Sequence, residues 1–241
     1  MRYIIDWKQF HEFLRDSELI QTLESLRTKP ESLNDGSLKL VTEIINQIRN
    51  KCKNIYCTNG FQIFDIFCDN VLSEFPDFTT APASTKYHGA CEGGLLTHSL
   101  AVYEAALKTA NAYGIEPLSV NPIACVFHDL CKCGAYVQKS KTDKAGQIKT
   151  WYDYAEPENA SQFTIGHGAE SLRRIFKILN TMGMDFDGNI SYEWQLAVNY
   201  HMGVFGVTNE EMMRFSKVTE KVPEVLLLHH ADMIATKIYH V

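Results

Sequence analysis

Apolar residues recur at intervals of three and four through most of this chain, the period of helices that bury one face. Leu38, Val41, Ile44, Ile45, Ile48 and Cys52 keep that spacing, and so do Phe64, Phe67, Cys68, Val71 and Leu72 between Phe61 and Phe75, where Pro76 closes the run. Shorter groupings around Ile4, Phe10, Phe13, Leu14, Leu23 and Leu26 predict one or two amphipathic helices ending near Lys29-Pro30 and the turn Asn34-Asp35-Gly36. A connection over 79–84 leads to a helix from Gly94 to about Ala112. Asn121-Pro122 combines a capping side chain with proline in the first turn, and the helix it starts is expected to run through Val126 into His128-Asp129-Leu130. Helical segments follow near 167–182, 192–202, 209–217 and 223–238, with Thr208 and Glu211 spaced as a capping box and Pro223 in a first turn.

One interval breaks the period. Tyr136-Val137-Gln138 and Ile148-Lys149-Thr150-Trp151-Tyr152 flank Asp143-Lys144-Ala145-Gly146, the pattern of a β-hairpin. No internal repeat or low-complexity tract is visible. The expectation is an all-α fold with a small hairpin insertion, in which an N-terminal helical segment, 1–84, packs on a core, 85–241.

Composition narrows the class. With 45% hydrophobic and 22% charged residues over 241 positions, the chain can build a substantial core. No stretch approaches the ~20 consecutive apolar residues of a membrane helix, and the first residues lack an apolar targeting segment. The expectation is a cytoplasmic protein without a membrane partner. A net charge of −6 argues against a broad basic footprint for duplex nucleic acid. A small phosphorylated substrate stays compatible, because a bound metal can be the largest local positive charge. Seven cysteines, an odd number without repeated CxxC pairs, are expected to be reduced.

Six residues raise a specific chemistry: His98, the pair His128-Asp129, His167, His201 and Asp232. Imidazole and carboxylate hold borderline divalent metals, and the intervals are about one helix plus one connection. A bundle pointing these side chains at its centre would build a dinuclear site. Each also has a plainer reading, as a core histidine satisfied by a carbonyl or as a hydrogen-bonded helix end. Two adjacent ionisable groups at the end of an apolar helix are costly to bury unpaired, and a metal pairs both. Asp129 has lone pairs enough to bridge two ions. Asp232 lies in Val225–Ala235, the least polar helix, and calls for a cationic partner. His229, three residues earlier on the same face, reads as a lining residue or a partner of a ligand.

The stretches Gly93-Gly94-Leu95-Leu96-Thr97-His98-Ser99, Phe127-His128-Asp129-Leu130-Cys131-Lys132 and Leu228-His229-His230-Ala231-Asp232 resemble the signature of the HD-domain superfamily of metal-dependent phosphohydrolases. The resemblance covers about residues 85–240 and is nearest to a two-metal bacterial and phage subgroup carrying His-Asp-Leu-Cys-Lys. It implies a helical bundle in which His98, His128, Asp129 and Asp232 hold one metal. Gly166-His167-Gly168 and Tyr200-His201-Met202 would supply His167 and His201 for a second, with Asp129 bridging. It implies two divalent ions drawn from Mn, Fe, Co, Ni or Mg, and Asp129, Lys132 and His88 as the catalytic residues. Lys132 would contact phosphate, and His88 would serve as general acid or phosphate contact. The implied reaction is hydrolysis of a phosphoester or phosphoanhydride of a nucleotide-like substrate by a metal-activated hydroxide. Glu92 and Glu170 would orient ligand histidines.

Alternatives on the same fold are a 3′→5′ exonuclease, a cyclic-nucleotide phosphodiesterase and a di-iron oxygenase, whereas the full ligand set argues against a non-catalytic nucleotide-binding module, which would have no chemical need for all six residues. A small phosphorylated substrate is the expected partner, and a homo-oligomer stays open. Lys139, Lys141, Lys144 and Lys149 read either as a solvated hairpin or as a lid drawing in phosphate. Trp151, Tyr152 and Tyr154 would stack on a base or anchor the hairpin. Substrate choice is expected to lie in the hairpin, Phe205–Arg214 and the N-terminal helices.

Overall fold

In a computed structural model of the protein, the described residues are 61–144, 146–155, 165–204 and 208–241. The helices expected within 1–60, including Leu38–Cys52, lie outside them, as does most of the segment 1–84. Helix α1 (Phe61–Glu74) buries Phe67 and Val71, one turn apart, and stops before Pro76, which opens a 3₁₀ turn over Pro76–Thr79. Helix α2 (Gly94–Thr109) is the central post, with 12 of its 16 residues buried, and its alanines at 101, 105 and 106 let neighbouring elements come close. The short helix α3 (Pro122–Val126) packs on it, capped by the Asn121 side chain, which accepts the Ala124 N–H at 3.0 Å.

Around this post stand α4 (His167–Thr181), the four-residue α5 (Phe186–Asn189), α6 (Tyr192–Tyr200), α7 (Asn209–Thr219) and α8 (Pro223–Ile234). Helix α8 packs on both α2 and α6, and α6 packs on α4. The apolar run of α8 exists to be covered: Val225, Leu227, Leu228 and Ala231 are all fully buried, each leucine contributing about 1.5–3 kcal/mol. Helix α7 carries the expected capping box of Thr208 and Glu211, yet none of its residues is buried. Eight α-helices and one two-stranded antiparallel sheet account for the regular structure among the described residues, so the fold is mostly helical with a small hairpin. None of these helices is long and apolar enough to cross a membrane. Cys91, Cys125, Cys131 and Cys133 are free thiols.

The hairpin pairs β1 (Tyr136–Thr142) with β2 (Ile148–Tyr154) in a register running from Tyr136 opposite Tyr154 to Thr142 opposite Ile148. Alternation places Tyr136, Gln138, Tyr152 and Tyr154 on one face, and Lys139, Lys141, Lys149 and Trp151 on the other. The strands are largely exposed. At their base Tyr136 and Tyr154 stack with centroids 5.5 Å apart, and the Ala155 N–H donates to the Ala135 carbonyl at 3.0 Å. Anchoring therefore falls to the Tyr136–Tyr154 pair.

Two helices end differently from expectation. The one started by Pro122 stops at Val126, so His128 and Asp129 occupy a turn, followed by a 3₁₀ turn over Leu130–Lys132. The cause is local. Phe127 leaves helical geometry (φ −110°, ψ 16°), the Leu130 N–H turns back to the Phe127 carbonyl, and the Cys125 carbonyl faces the His128 ring. Helix α8 gives way after Ile234 to a wider π turn, Ala235–Tyr239, which ends at His240 with φ 60°.

Candidate metal centre

The six candidate ligands and Lys132 gather around Asp129. His98 comes from α2, His128, Asp129 and Lys132 from the turns after α3, His167 from the first residue of α4, His201 from the end of α6 and Asp232 from α8. His98, His128, Asp129, Lys132 and His201 are buried, Asp232 is half-buried, and His167 is at the rim. Asp129 divides the cluster by its two oxygens. Its Oδ2 lies 3.4 Å from His128 Nε2, 3.6 Å from His98 Nε2 and 2.6 Å from Lys132 Nζ. Its Oδ1 lies 2.7 Å from His167 Nε2 and 3.3 Å from His201 Nε2. Asp232 Oδ1 closes the first side, 3.2 Å from His98 Nε2.

The tautomers follow from the backbone. His98 Nδ1 faces the main-chain oxygen of Val241 at 3.1 Å, His128 Nδ1 the Cys125 carbonyl at 2.8 Å and His201 Nδ1 the Val198 carbonyl at 2.7 Å. A carbonyl only accepts, so each Nδ1 carries a proton, and in the neutral ring each Nε2 presents a lone pair. All three Nε2 atoms are buried and without a hydrogen-bond partner. They point at carboxylate oxygens, which also present lone pairs. Acceptors face acceptors across 3.2–3.6 Å, an arrangement that is favourable when a cation lies between them.

A metal fits that requirement. Ligand atoms about 2.0–2.1 Å from one ion stand roughly 3–3.4 Å apart in octahedral or tetrahedral arrangements. Residues grouped closely enough to share an ion are His98, His128 and Asp129, then His128, His201 and Asp232, and then Asp129, Cys131 and His167. The donors are nitrogen and oxygen for the most part, the set of a first-row divalent metal. His167 is different in detail, since its 2.7 Å contact with Asp129 is hydrogen-bond length.

Charge favours a cation as well. Burial works to raise Asp129, but Lys132, His128 and His167 hold its carboxyl well below the usual range. Burial likewise opposes ionisation of Asp232, and His98 outweighs it, so its pKa falls. Burial would discharge Lys132, yet Asp129 keeps its ammonium charged and pushes its pKa up. Burial lowers the imidazoles of His128 and His167. At His201 burial acts the same way, but the nearby carboxylate of Asp129 outweighs it and its pKa rises. Two carboxylates against one ammonium leave the pocket short of positive charge. His88 stands beside His98, ring centroids 4.9 Å apart, with neither ring nitrogen partnered. Burial, then His98 and Lys132, lower it to about 4.

Other parts of the site gave no early signal. Gly168 lies so close to α6 that a Cβ would meet the Val198 carbonyl oxygen at 2.2 Å, and this contact brings His167 to His201. Gly94 makes a similar approach ahead of His98, its would-be Cβ 2.0 Å from the Gly89 oxygen. Arg174 Nη1 donates to the carbonyls of Leu130 and Cys133, both at 2.9 Å, and its Nε to Glu170 at 2.7 Å. The Cys131 N–H donates to Ser171 Oγ at 3.1 Å, so α4 grips both ends of the turn that follows Asp129.

Glu170 corrects an expectation. Its buried carboxylate takes bonds from Arg173 and Arg174, where the sequence had suggested a histidine partner. Glu92 is exposed. Main-chain oxygens orient His98, His128 and His201 in their place. His229 acts one step behind a ligand, its Nδ1 2.7 Å from the His201 carbonyl. Lys139, Lys141 and Lys149 lie on the face opposite Tyr136, whose hydroxyl group sits in the field of Lys132. No protein-family description, curated protein or solved structure matches the chain.

Proposed function

We propose that the protein is a metal-dependent phosphohydrolase of the HD-domain type, acting on a small phosphorylated, nucleotide-like substrate. The observation that carries the reading is the facing of partnerless imidazole lone pairs and carboxylate oxygens around Asp129, with Lys132 in the same cluster. His98, His128, Asp129 and Asp232 would hold one divalent ion, and Asp129, His167 and His201 a second. Such ions supply Lewis acidity and a strong nucleophile near neutral pH.

The chain's own residues do the rest. Lys132, kept charged by Asp129, offers an ammonium to a phosphoryl oxygen, where it would offset charge that grows as the bond breaks. His88, neutral at pH 7, has two unpartnered ring nitrogens at the edge of the cluster and can donate a hydrogen bond to the same group or to the leaving oxygen. Carbonyl bonds to three imidazoles fix their lone pairs inward before any ion arrives. The acidic balance of the chain fits a small substrate better than a tracked polynucleotide.

The test is phosphate release from a panel of nucleotides and phosphate esters, with the protein loaded with Mn, Co, Ni, Mg or Fe(II). Release that disappears in Asp129→Ala supports the proposal. Failure to release phosphate with every metal, combined with O₂ uptake by the Fe(II) form, would replace it with the oxygenase reading.

A further inference from the structure

We infer that residues 235–241 form a positioning strap for the first metal, acting through the imidazole of His98. The inference rests on the metal reading of the site. Helix α8 delivers Asp232 to the cluster and then does not simply end. Its last turn widens into the π turn Ala235–Tyr239, and the N–H of His240 returns to the Ala235 carbonyl. His240 takes a left-handed conformation at φ 60°, the described residues' one non-glycine position of that kind. That reversal sends Val241 back toward α2. The Val241 N–H donates to the Ala235 carbonyl at 3.2 Å, and its main-chain oxygen meets His98 Nδ1 at 3.1 Å.

The strap is packed. Ala235, Tyr239 and Val241 are buried, whereas Ile238 and His240 face outward. One segment therefore supplies a carboxylate ligand candidate, Asp232, and, nine residues later, the acceptor that fixes the ring of another, His98. His128 and His201 are held differently, each by the carbonyl three residues before it. Their tautomers are set locally, and that of His98 is set across 143 residues of sequence. Loss of such an orienting bond typically costs ~10–100-fold in metal affinity. The strap is thus the part of the site that can be released without touching a ligand.

The backbone conformation gives the experiment. His240→Pro cannot adopt positive φ and removes the N–H that closes the turn. His240→Gly adopts it freely. A third variant lacks residues 240 and 241, which removes the acceptor without forbidding any conformation. Mn(II) binding is followed by calorimetry, and the His98 ring by ¹⁵N-detected histidine spectra of the zinc-loaded protein. His240→Pro and the shortened chain are expected to weaken one ion of the pair by ~10–100-fold and to shift the His98 Nδ1 signal. His240→Gly should keep both ions at wild-type affinity. Equal weakening of both ions, or unchanged affinity in the shortened chain, would overturn the inference. A wild-type protein that binds no Mn(II) would instead overturn the metal reading itself.

Discussion

The helical cluster around Asp129 and the β-hairpin that follows it begin only a few residues apart and obey different rules. In the cluster, most charged and polar side chains are buried, and three of the imidazoles take a direction imposed by a main-chain oxygen. In the hairpin, lysines and acids sit in water: Lys139 pairs with Asp153 at 2.7 Å and Lys149 with Asp143 at 3.8 Å, all substantially exposed. Screened pairs of that kind contribute ~0–1 kcal/mol. Breaking a buried pair costs about 3–5 kcal/mol, because the remaining charge has nowhere to go. The same residue types carry energetic weight in one region and almost none in the other.

Substitutions can test how far that contrast extends. Asp129→Ala should have the largest effect, abolishing turnover and, with Lys132 left buried and unpaired, destabilising the metal-free fold by about 3–5 kcal/mol in urea unfolding. Stability within experimental error of wild type would mean that the Lys132–Asp129 pair is not buried as described. Gly168→Ala comes next. A Cβ 2.2 Å from the Val198 oxygen has to push α4 away from α6, at a cost of about 1–3 kcal/mol. It should separate His167 from His201 and weaken the second ion before the first, which calorimetric titration would register. Replacing Lys139, Lys141 and Lys149 together by glutamine should move stability by no more than about 0.5 kcal/mol. Phosphate release should hardly change, since those side chains lie on the face away from Tyr136. A steep loss of turnover would restore the hairpin to the role of a phosphate-gathering lid.

Cysteine chemistry sharpens the contrast from another side. Burial pushes the Cys131 thiol up to about 12, with Asp129 adding to the shift, and Cys125 and Cys133 are buried as well. Native protein at pH 8 should therefore leave these three unmodified by a thiol-specific reagent, while half-buried Cys91 reacts sooner. Mass spectrometry of peptides after brief labelling would show it. Rapid labelling of Cys131 would mean that the turn after Asp129 opens readily.

Much of the cluster was legible in the sequence for a chemical reason. Few side chains bind metals, and His98, His128, Asp129, His167, His201 and Asp232 stand out against apolar helical patterns. The hairpin was legible because its turn residues interrupt the period. The end of the helix at Val126 was not, since Phe127, His128 and Asp129 have no strong breaker among them and the stop depends on the His128 ring taking the Cys125 carbonyl. The roles of Glu170 and Arg174 were hidden for another reason. Arg174 reaches carbonyls 44 and 41 residues earlier, and no local pattern encodes such a contact. Gly168 stood in the sequence only as a neighbour of His167, and nothing there showed that it lets two helices touch. The main-chain oxygens that orient the histidines carry no sequence signal at all.

The central claim is that Asp129 joins two metal positions, His98 and His128 on its Oδ2 side and His167 and His201 on its Oδ1 side. The most direct measurement is the metal content per chain, by inductively coupled plasma mass spectrometry after equilibration with Mn(II) and removal of free ion. The arrangement predicts two ions in the wild type, one in His98→Ala and one in His201→Ala, and none in Asp129→Ala. A wild type that retains no ion, or an Asp129→Ala protein that retains the full complement, would contradict it.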